Sequence, residues 1–286
     1  MFHKVKLYSM NGSNSILRIH GISQDPVTKD VLMVLEYAEY GNFNNWTYNN
    51  YKNFNWSGKI IALSNILCGL KEIHQKQLVH RDFHTGNILV KSLNWTCISD
   101  MGLCGEVGNT DETKIYGVMP YMAPEVLKGQ PYTQAADIYS FGMIMYFAAT
   151  GKLPFSDCAH DKYLVLNICN GIRPEINESE APECYIDLMK KCWDSDPYNR
   201  PKATELHKLF RSFYDSYYLK RDYEIEKQFN EAEEYRKANL STFESNQQTT
   251  HPQAIYTSRL LNPFTIDLPK YDNIDNNSVE VIDFTK

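Results

Sequence analysis

Residues 78–90 read LVHRDFHTGNILV and place acidic and amide side chains at short, fixed intervals. Asp82 is followed by Asn87, and a second aspartate, Asp100, comes directly before a Met-Gly pair. Carboxylate and amide oxygens are ligands that Mg²⁺ prefers, and a carboxylate can also accept a proton from a hydroxyl. The residue types therefore suit chemistry assisted by a magnesium ion. Taken alone, each of these short motifs is equally typical of an ordinary turn.

A third motif, Ala-Pro-Glu at residues 123–125, follows further along the chain. With His-Arg-Asp at residues 80–82 and Asp-Met-Gly at residues 100–102, it stands in the order that eukaryotic protein kinases show, and the chain resembles that family from its first strand pair to Pro201. The resemblance implies an α+β, protein-kinase-like fold with a mostly α-helical large lobe and an incomplete small β lobe. The tyrosine-kinase-like group is the nearest match among kinase groups.

The resemblance also implies a role for each residue of these motifs. Asp82 is the expected catalytic base, and Arg81 and His84 are the further catalytic-loop residues beside it. Asn87 and Asp100 are the expected Mg²⁺ ligands. The implied reaction is transfer of the γ-phosphate of ATP to a hydroxyl of a protein substrate in signalling.

For ATP, the resemblance places the hinge that holds adenine at Glu36 and Ala38. It places Asn42 near the ribose and Leu89 under the adenine ring. An edge strand and a core leucine would show the same pattern without binding a nucleotide, so a purely structural role stays open for these residues.

The acceptor hydroxyl is not decided by the sequence. His84 stands where serine/threonine kinases usually carry lysine, and Val118 stands where they usually carry threonine. Tyrosine kinases differ at both places too. We expect serine or threonine as the acceptor, with tyrosine as the open alternative.

The phosphate-binding half of a kinase site is missing from the sequence before Glu36. No G-x-G-x-x-G stretch occurs there, and Lys4 and Lys6 lie too near the start for a third strand. We therefore expect a kinase truncated at its N-terminal lobe, with a partner that completes or covers the small lobe. The alternative is a pseudokinase or interaction scaffold without efficient catalysis. The presence of a base and both metal ligands argues against this alternative, because a pure scaffold has no chemical need for them.

Composition narrows the class of protein. The 286 residues are 43% hydrophobic and 22% charged, as in soluble globular proteins, and the net charge of −6 argues against binding nucleic acid. The most apolar segment, residues 138–149, is too short to span a membrane and predicts a buried helix. Seven cysteines without a C-x-x-C pair indicate neither a disulfide framework nor a zinc site, so we expect a cytoplasmic protein.

The resemblance, together with the pattern of apolar residues, implies four parts of the chain. These are a remnant of the small lobe with the hinge (1–38), the large lobe (39–213), a surface helix (214–240) and a disordered tail (241–286). Within the tail, residues 255–256 and 260–264 are apolar enough to form a docking motif as the alternative.

Three further expectations concern the large lobe. Ser57 is the predicted cap of a long buried helix that leads into the catalytic loop. By the resemblance, Asp137 braces that loop and Arg200 pairs with Glu125.

Residues 103–119 are the candidate activation segment, because they are rich in Gly, Asn, Thr and acidic residues. Their hydroxyls, on Thr110, Thr113 and Tyr116, are candidate phosphorylation sites. Arg81 is the expected partner of a phosphate there.

Overall fold

The computed structural model describes residues 14–92, 95–106, 114–240 and 250–265. About half of these residues are helical, and the strands form short antiparallel pairs. This is the α+β, kinase-like architecture that the sequence predicts. Of the small lobe, the described residues contain one hairpin. Lys4, Lys6, Thr110 and Thr113 lie outside the described residues.

The elements have the following bounds. The helices are α1 (Phe43–Asn50), α2 (Trp56–Gln75), α3 (Pro124–Leu127), α4 (Gln134–Thr150), α5 (Lys162–Cys169), α6 (Glu183–Cys192), α7 (Ala203–Leu219), α8 (Tyr223–Ala238) and α9 (Asn262–Thr265). The strands are β1 (Ile19–Gln24), β2 (Val31–Leu35), β3 (Leu78–Val79), β4 (Ile88–Ser92), β5 (Trp95–Ile98), β6 (Gly105–Glu106), β7 (Tyr116–Gly117) and β8 (Arg259–Leu260). Strand β1 pairs with β2, β3 with β6, β4 with β5, and β7 with β8.

The hairpin of β1 and β2 confirms the strand pair that the sequence predicts. It is joined to the large lobe by the Leu17 N–H, which donates to the Ile98 carbonyl at 2.8 Å. Its apolar side chains are partly uncovered: Ile22, Leu32 and Val34 are 44%, 49% and 44% exposed. A strand surface of this kind normally packs against further protein.

Helix α2 carries the core of the large lobe and delivers the chain into the catalytic loop. Its cap differs from the prediction, because the Asn55 side chain, not Ser57, accepts a hydrogen bond from the Gly58 N–H at 2.9 Å. Asn55 precedes the first helical residue, Trp56, and can therefore satisfy an N–H that the first turn leaves without a partner.

Helix α4 confirms the buried helix predicted from the apolar run. Every residue from Ala136 to Thr150 is buried, including Asp137 and Ser140. A helix apolar on all sides belongs in the interior of a lobe, so a charged side chain on it must have buried partners.

The part of the chain after residue 213 differs from the predicted single surface helix. Helix α7 continues to Leu219, and a separate helix, α8, begins at Tyr223. Helix α8 buries Phe229 completely, and its Glu233 accepts the N–H of Trp56 at 3.0 Å. The prediction was wrong because the many charged residues of α8 indicate a solvent-exposed helix. Two of them, Glu233 and Arg236, are instead buried and paired with each other.

Those inward charges form a buried cluster with Lys59 of α2. Arg236 pairs with Glu233 at 2.6 Å and donates to the Lys52 carbonyl at 3.0 Å. The Lys59 ammonium donates to the Ala149 carbonyl at 2.8 Å. Burial lowers the pKa of Lys59 to about 7, with a smaller contribution from the charge of Arg236.

The predicted disordered tail is ordered in part. Residues 250–265 contain β8 and α9 and bury Leu261 completely. They hold apolar and aromatic residues that pack on the large lobe, which corresponds to the docking alternative. The other residues of the predicted tail, 241–249 and 266–286, lie outside the described residues. None of the helices in the described ranges is long and apolar enough to cross a membrane.

The buried lysine predicts a pH-dependent stability. Below pH 7 Lys59 is protonated in the folded and the unfolded chain, whereas between about pH 7 and 10.4 only the unfolded chain keeps the proton. Stability therefore rises with pH in that window. We expect the free energy of unfolding of the wild type, relative to Lys59→Met, to rise by about 1.4 kcal/mol per pH unit.

Urea unfolding of both chains between pH 6 and pH 9 measures this difference. Lys190→Met, the same change at an exposed position of α6, controls for the loss of a lysine as such. A difference between wild type and Lys59→Met that stays constant across this range would contradict the buried, mostly neutral lysine.

Candidate active site

The catalytic loop is held by the carboxylate of Asp137, as the sequence predicts. Its Oδ2 accepts the His80 N–H at 2.8 Å and its Oδ1 accepts the Arg81 N–H at 3.1 Å. His74 Nε2, at the end of α2, lies 2.9 Å from Oδ2. Arg81 has φ +71, which costs on the order of 1–3 kcal/mol for a residue with a side chain. The buried carboxylate offsets that cost and fixes the turn before Asp82.

His80 links the catalytic loop to the loop that carries Asp100. Its Nε2 lies 3.0 Å from the Ser99 carbonyl, and its Nδ1 accepts the Asp82 N–H at 3.4 Å. Burial lowers the pKa of His80, although the negative charge of Asp137 acts in the opposite direction. The imidazole is therefore neutral, with its proton on Nε2 and donated to Ser99.

The two candidate metal ligands are tied together by Ser99. The N–H and the hydroxyl of Ser99 both donate to the Asn87 carbonyl, at 2.8 and 2.9 Å. The Asn87 amide nitrogen donates to the Asp82 carbonyl at 2.9 Å, which leaves the amide oxygen for another partner. Asp100 is exposed at φ +50, and its Oδ1 accepts the Gly102 N–H at 3.1 Å.

These oxygens fit a magnesium ion that is shared with a nucleotide. In the described part of the chain, no three His, Cys, Asp or Glu side chains are grouped so that they could hold a metal by themselves. Mg²⁺ is commonly held by one or two protein oxygens together with substrate phosphates and water. The hard oxygens of Asn87 and Asp100 match that mode of binding.

Asp82 lies at the centre of the site and is 6% exposed. Its Oδ1 has no partner at ordinary hydrogen-bond geometry among the described residues, which suits an incoming hydroxyl. Burial alone would raise the pKa of Asp82, but the interaction with His84, whose Nε2 lies 3.7 Å from Oδ1, outweighs burial and lowers it. The carboxylate is therefore ionised near neutral pH, as a proton acceptor must be.

The structure places His84 beside the expected base. The Gly86 N–H donates to His84 Nδ1 at 3.1 Å, which directs Nε2 towards Asp82, 3.7 Å from its Oδ1. The His84 ring also lies near Tyr121, whose hydroxyl is 2.9 Å from that of Thr85. Together these contacts join the catalytic loop to the segment before Ala-Pro-Glu.

Arg81 is buried and contacts the start of the activation segment. Its guanidinium donates to the Glu106 carbonyl at 3.2 Å and lies against Gly105, where an added Cβ would approach it to 2.8 Å. The proposed phosphate partner is thus in place next to the segment. Of the three candidate phosphorylation sites, the described residues include Tyr116, which lies in β7.

The nucleotide-binding candidates lie around the junction of the hairpin and the large lobe. The Glu36 carboxylate pairs with Lys91 at 2.7 Å and the Glu36 N–H donates to the Arg18 carbonyl at 2.8 Å, so the Glu36 carbonyl is the part left to meet a ligand. Ala38 is buried, and Leu89 is half-buried opposite Asn42. Asn42 is also the cap of α1, accepting the Asn45 N–H at 2.9 Å, and that explains its residue type without a ribose.

The base of the lobe carries the predicted ion pair. Arg200 contacts both carboxylate oxygens of Glu125, at 2.6 and 2.8 Å, and also donates to the Ala135 carbonyl at 2.9 Å. The pair holds the Ala-Pro-Glu motif against α4, the helix that carries Asp137. The prediction is confirmed.

Two groups of residues near the site escape a motif-based search. Ser99 and Tyr121 act through hydrogen bonds between loops, and nothing in their spacing marks that role. Residues 250–265 contact the site from far along the chain, and their apolar side chains were the available signal. Because these residues are far from the activation segment in the sequence, the sequence alone did not predict that they pair with it.

The fold and the loop geometry are those of a phosphoryl-transfer site of the protein kinase class. A family model described as "Protein tyrosine and serine/threonine kinase" matches residues 1–210. The chain belongs to this family, whose members in general use ATP and a divalent metal.

Individual relatives agree with this assignment. A protein of Acanthamoeba polyphaga mimivirus, provisionally named a serine/threonine-protein kinase/receptor, is 32% identical over 70% of this chain and 12% of its own length. A dual serine/threonine and tyrosine protein kinase of Mus musculus is 35% identical over 54% of this chain and 17% of its own. A Dictyostelium discoideum protein, provisionally named a serine/threonine-protein kinase, is 30% identical over 74% of this chain and 12% of its own. The chain thus spans less than a fifth of each relative.

Replacing His80 tests the link between the two loops. In His80→Phe the ring volume is kept, but the Ser99 carbonyl loses its donor and the Asp82 N–H loses its acceptor. We expect a loss of about 1–3 kcal/mol in the free energy of unfolding, measured with urea at neutral pH. His20→Phe, at an exposed position of β1, is the matched control. Equal stability of the two variants would show that the link is not important.

Proposed function

We propose that this chain carries the phosphoryl-transfer centre of a protein kinase that acts on serine or threonine hydroxyls of proteins. The observation that carries the proposal is an ionised, buried Asp82 with an open Oδ1, on a loop that Asp137 fixes beside Asn87 and Asp100. Tyrosine stays open as acceptor, because His84 and Val118 match neither class of kinase.

Each candidate site residue has a defined role in this proposal. Asp82 orients the acceptor hydroxyl and takes its proton, and His84 Nε2 helps to keep the carboxylate ionised. Asn87 and Asp100 hold Mg²⁺, while the Glu36 and Ala38 backbone holds adenine above Leu89. Bound Mg·ATP supplies the phosphoryl group and neutralises the charge that develops during transfer.

The other half of the phosphate site belongs to further protein in this proposal. The sequence before Glu36 contains no glycine-rich loop, and the hairpin leaves Ile22, Leu32 and Val34 between 44% and 49% exposed. Additional small-lobe residues, from a longer chain or a partner, would cover this surface and bring the lysine that contacts the phosphates. A single such preorganised contact is worth roughly 10²–10³ in rate.

The second candidate function is that of a pseudokinase or interaction scaffold. This function would apply if no further protein supplied a glycine-rich loop and a lysine, since the phosphates would then be held from one side. The two functions differ in a simple way, because a scaffold needs no proton acceptor at residue 82. The same variant therefore separates them.

Phosphate incorporation is predicted to depend on Asp82. With Mg·ATP and casein as added substrate, Asp82→Asn should lower the initial rate of labelling by at least about 10²-fold, because the amide cannot accept the hydroxyl proton. Asp187→Asn, the same change at an exposed position of α6, should label casein as the wild type does. Equal labelling by wild type and Asp82→Asn, or none by either, would reject catalysis by this chain.

Metal binding is predicted to depend on Asp100. ATP should raise the melting temperature more with Mg²⁺ than without it, since a ligand that binds the folded state stabilises it. In Asp100→Asn the Mg²⁺-dependent part of the rise should disappear, because one anionic ligand is lost, whereas Asp187→Asn should retain it. Thermal unfolding followed by circular dichroism gives the comparison. An unchanged Mg²⁺-dependent rise in Asp100→Asn would remove this residue from the metal site.

A further inference from the structure

Residues 250–265, here called the tail segment, lie along the large lobe and end beside the activation segment. At one end the His251 N–H donates to the Ser156 carbonyl at 2.9 Å, and the His160 N–H donates to the Gln253 carbonyl at 3.1 Å. At the other end the Leu261 N–H donates to the Ile115 carbonyl at 2.8 Å. Backbone hydrogen bonds therefore hold the segment to the lobe at both of its ends.

The tail segment binds the activation segment by adding a strand. Strand β8 runs antiparallel to β7, with Leu260 opposite Tyr116 and Arg259 opposite Gly117. The Ile115 N–H is bound by the Asn262 side-chain oxygen at 2.7 Å. Strand addition of this kind is a common way for a protein to bind an extended peptide, because the backbone gives affinity and side-chain pockets give specificity.

Side chains of the segment are recognised individually. His160 Nδ1 accepts the Ile255 N–H at 3.0 Å, and the Tyr256 ring stacks edge-on against His160 at 4.8 Å. The Tyr256 hydroxyl donates to the Pro154 carbonyl at 2.9 Å, and Leu261 is fully buried. These contacts fix the register of the segment on the lobe.

That register places Ser258 directly before β8, where Arg259 lies opposite Gly117. Gly117 is four residues before Tyr121, whose hydroxyl lies 2.9 Å from that of Thr85 on the catalytic loop. In agreement with this placement, the Ser258 hydroxyl is one of the groups that lower the pKa of Asp82. Oδ1 of Asp82 has no partner at ordinary hydrogen-bond geometry, so the contact is looser than a full hydrogen bond. Loose contacts to the base are common in kinase-type sites before the reactants are assembled. Ser258 and the neighbouring Thr257 are both exposed, so Thr257 is the matched hydroxyl for comparison.

We propose that the tail segment is a tethered peptide substrate and that Ser258 is phosphorylated by the chain's own active site. The inference rests on the proposed function and names one acceptor for it. The Ser258 oxygen forms a bond to the γ-phosphorus of ATP, and its proton passes to Asp82. The bond from that phosphorus to the β,γ-bridging oxygen breaks, and ADP leaves with the electron pair.

The first arm of the experiment maps the phosphate. The full chain is incubated with Mg·ATP and casein, and phosphopeptides are identified by mass spectrometry. We expect phosphate on Ser258 in the wild type and in Thr257→Ala, the matched loss of the neighbouring hydroxyl. The tail peptide of Ser258→Ala should carry none. The rate per molecule should not depend on chain concentration, because a tethered reaction is intramolecular.

The second arm measures docking without nucleotide. Leu261→Asp places a charge at a fully buried position of the segment and should release it. Hydrogen exchange of the Ile115 amide, which donates to Asn262, should then speed up. Labelling of Ser258 should fall about tenfold or more as the tethered concentration advantage is lost, while labelling of casein continues.

Several results would overturn the proposal. Labelled casein with unlabelled Ser258 would leave the proposed function standing and reject Ser258 as acceptor. A Ser258 rate that rises with chain concentration would reject the tethered reaction, and unchanged exchange at Ile115 in Leu261→Asp would reject the docking. Absence of any label, on casein or on the chain, would reject the proposed function and with it the acceptor role.

Discussion

The geometry of the site depends on one buried carboxylate. Asp137 accepts the N–H groups of His80 and Arg81, at 2.8 and 3.1 Å, where Arg81 takes a left-handed conformation. His80 and Arg81 are both buried, so losing the acceptor would cost about 1–3 kcal/mol for each unsatisfied group. The helix that holds Asp137 is itself fixed by burial on all sides and by the Glu125–Arg200 pair. The packing of the core thereby fixes the position of Asp82, the proposed proton acceptor.

A series of hydrogen bonds connects the loop that Asp137 holds to the rest of the site. His80 connects the catalytic loop to Ser99 by a hydrogen bond, and Ser99 in turn donates to Asn87. These hydrogen bonds hold the candidate base and the candidate metal ligands near one another. Tyr121 connects the same loop to the segment that ends in Ala-Pro-Glu. That segment also presents the open edge of β7, which the tail segment covers. The proton acceptor and a peptide-binding edge are thus parts of one connected structure.

How much the sequence could predict depended on the range of each interaction. The hairpin and the buried α4 follow from the pattern of apolar residues, which acts locally. The roles of the catalytic loop and the Glu125–Arg200 pair follow from the resemblance to protein kinases. The inward turn of Glu233 and the pairing of residues 250–265 with the activation segment arise from contacts between distant parts of the chain. Polar composition predicts solvation there, and only the three-dimensional packing shows that the charges are paired.

The most direct test of the central claim asks whether the Asp137 brace makes the site competent. In Asp137→Asn one acceptor oxygen is replaced by an NH2 group, which cannot accept, so one of the two loop N–H groups loses its partner. At a temperature where circular dichroism shows the variant folded, transfer of the γ-phosphate from Mg·ATP to casein should be at least about 10²-fold slower than in the wild type. A folded Asp137→Asn chain that transfers phosphate at the wild-type rate would contradict the claim.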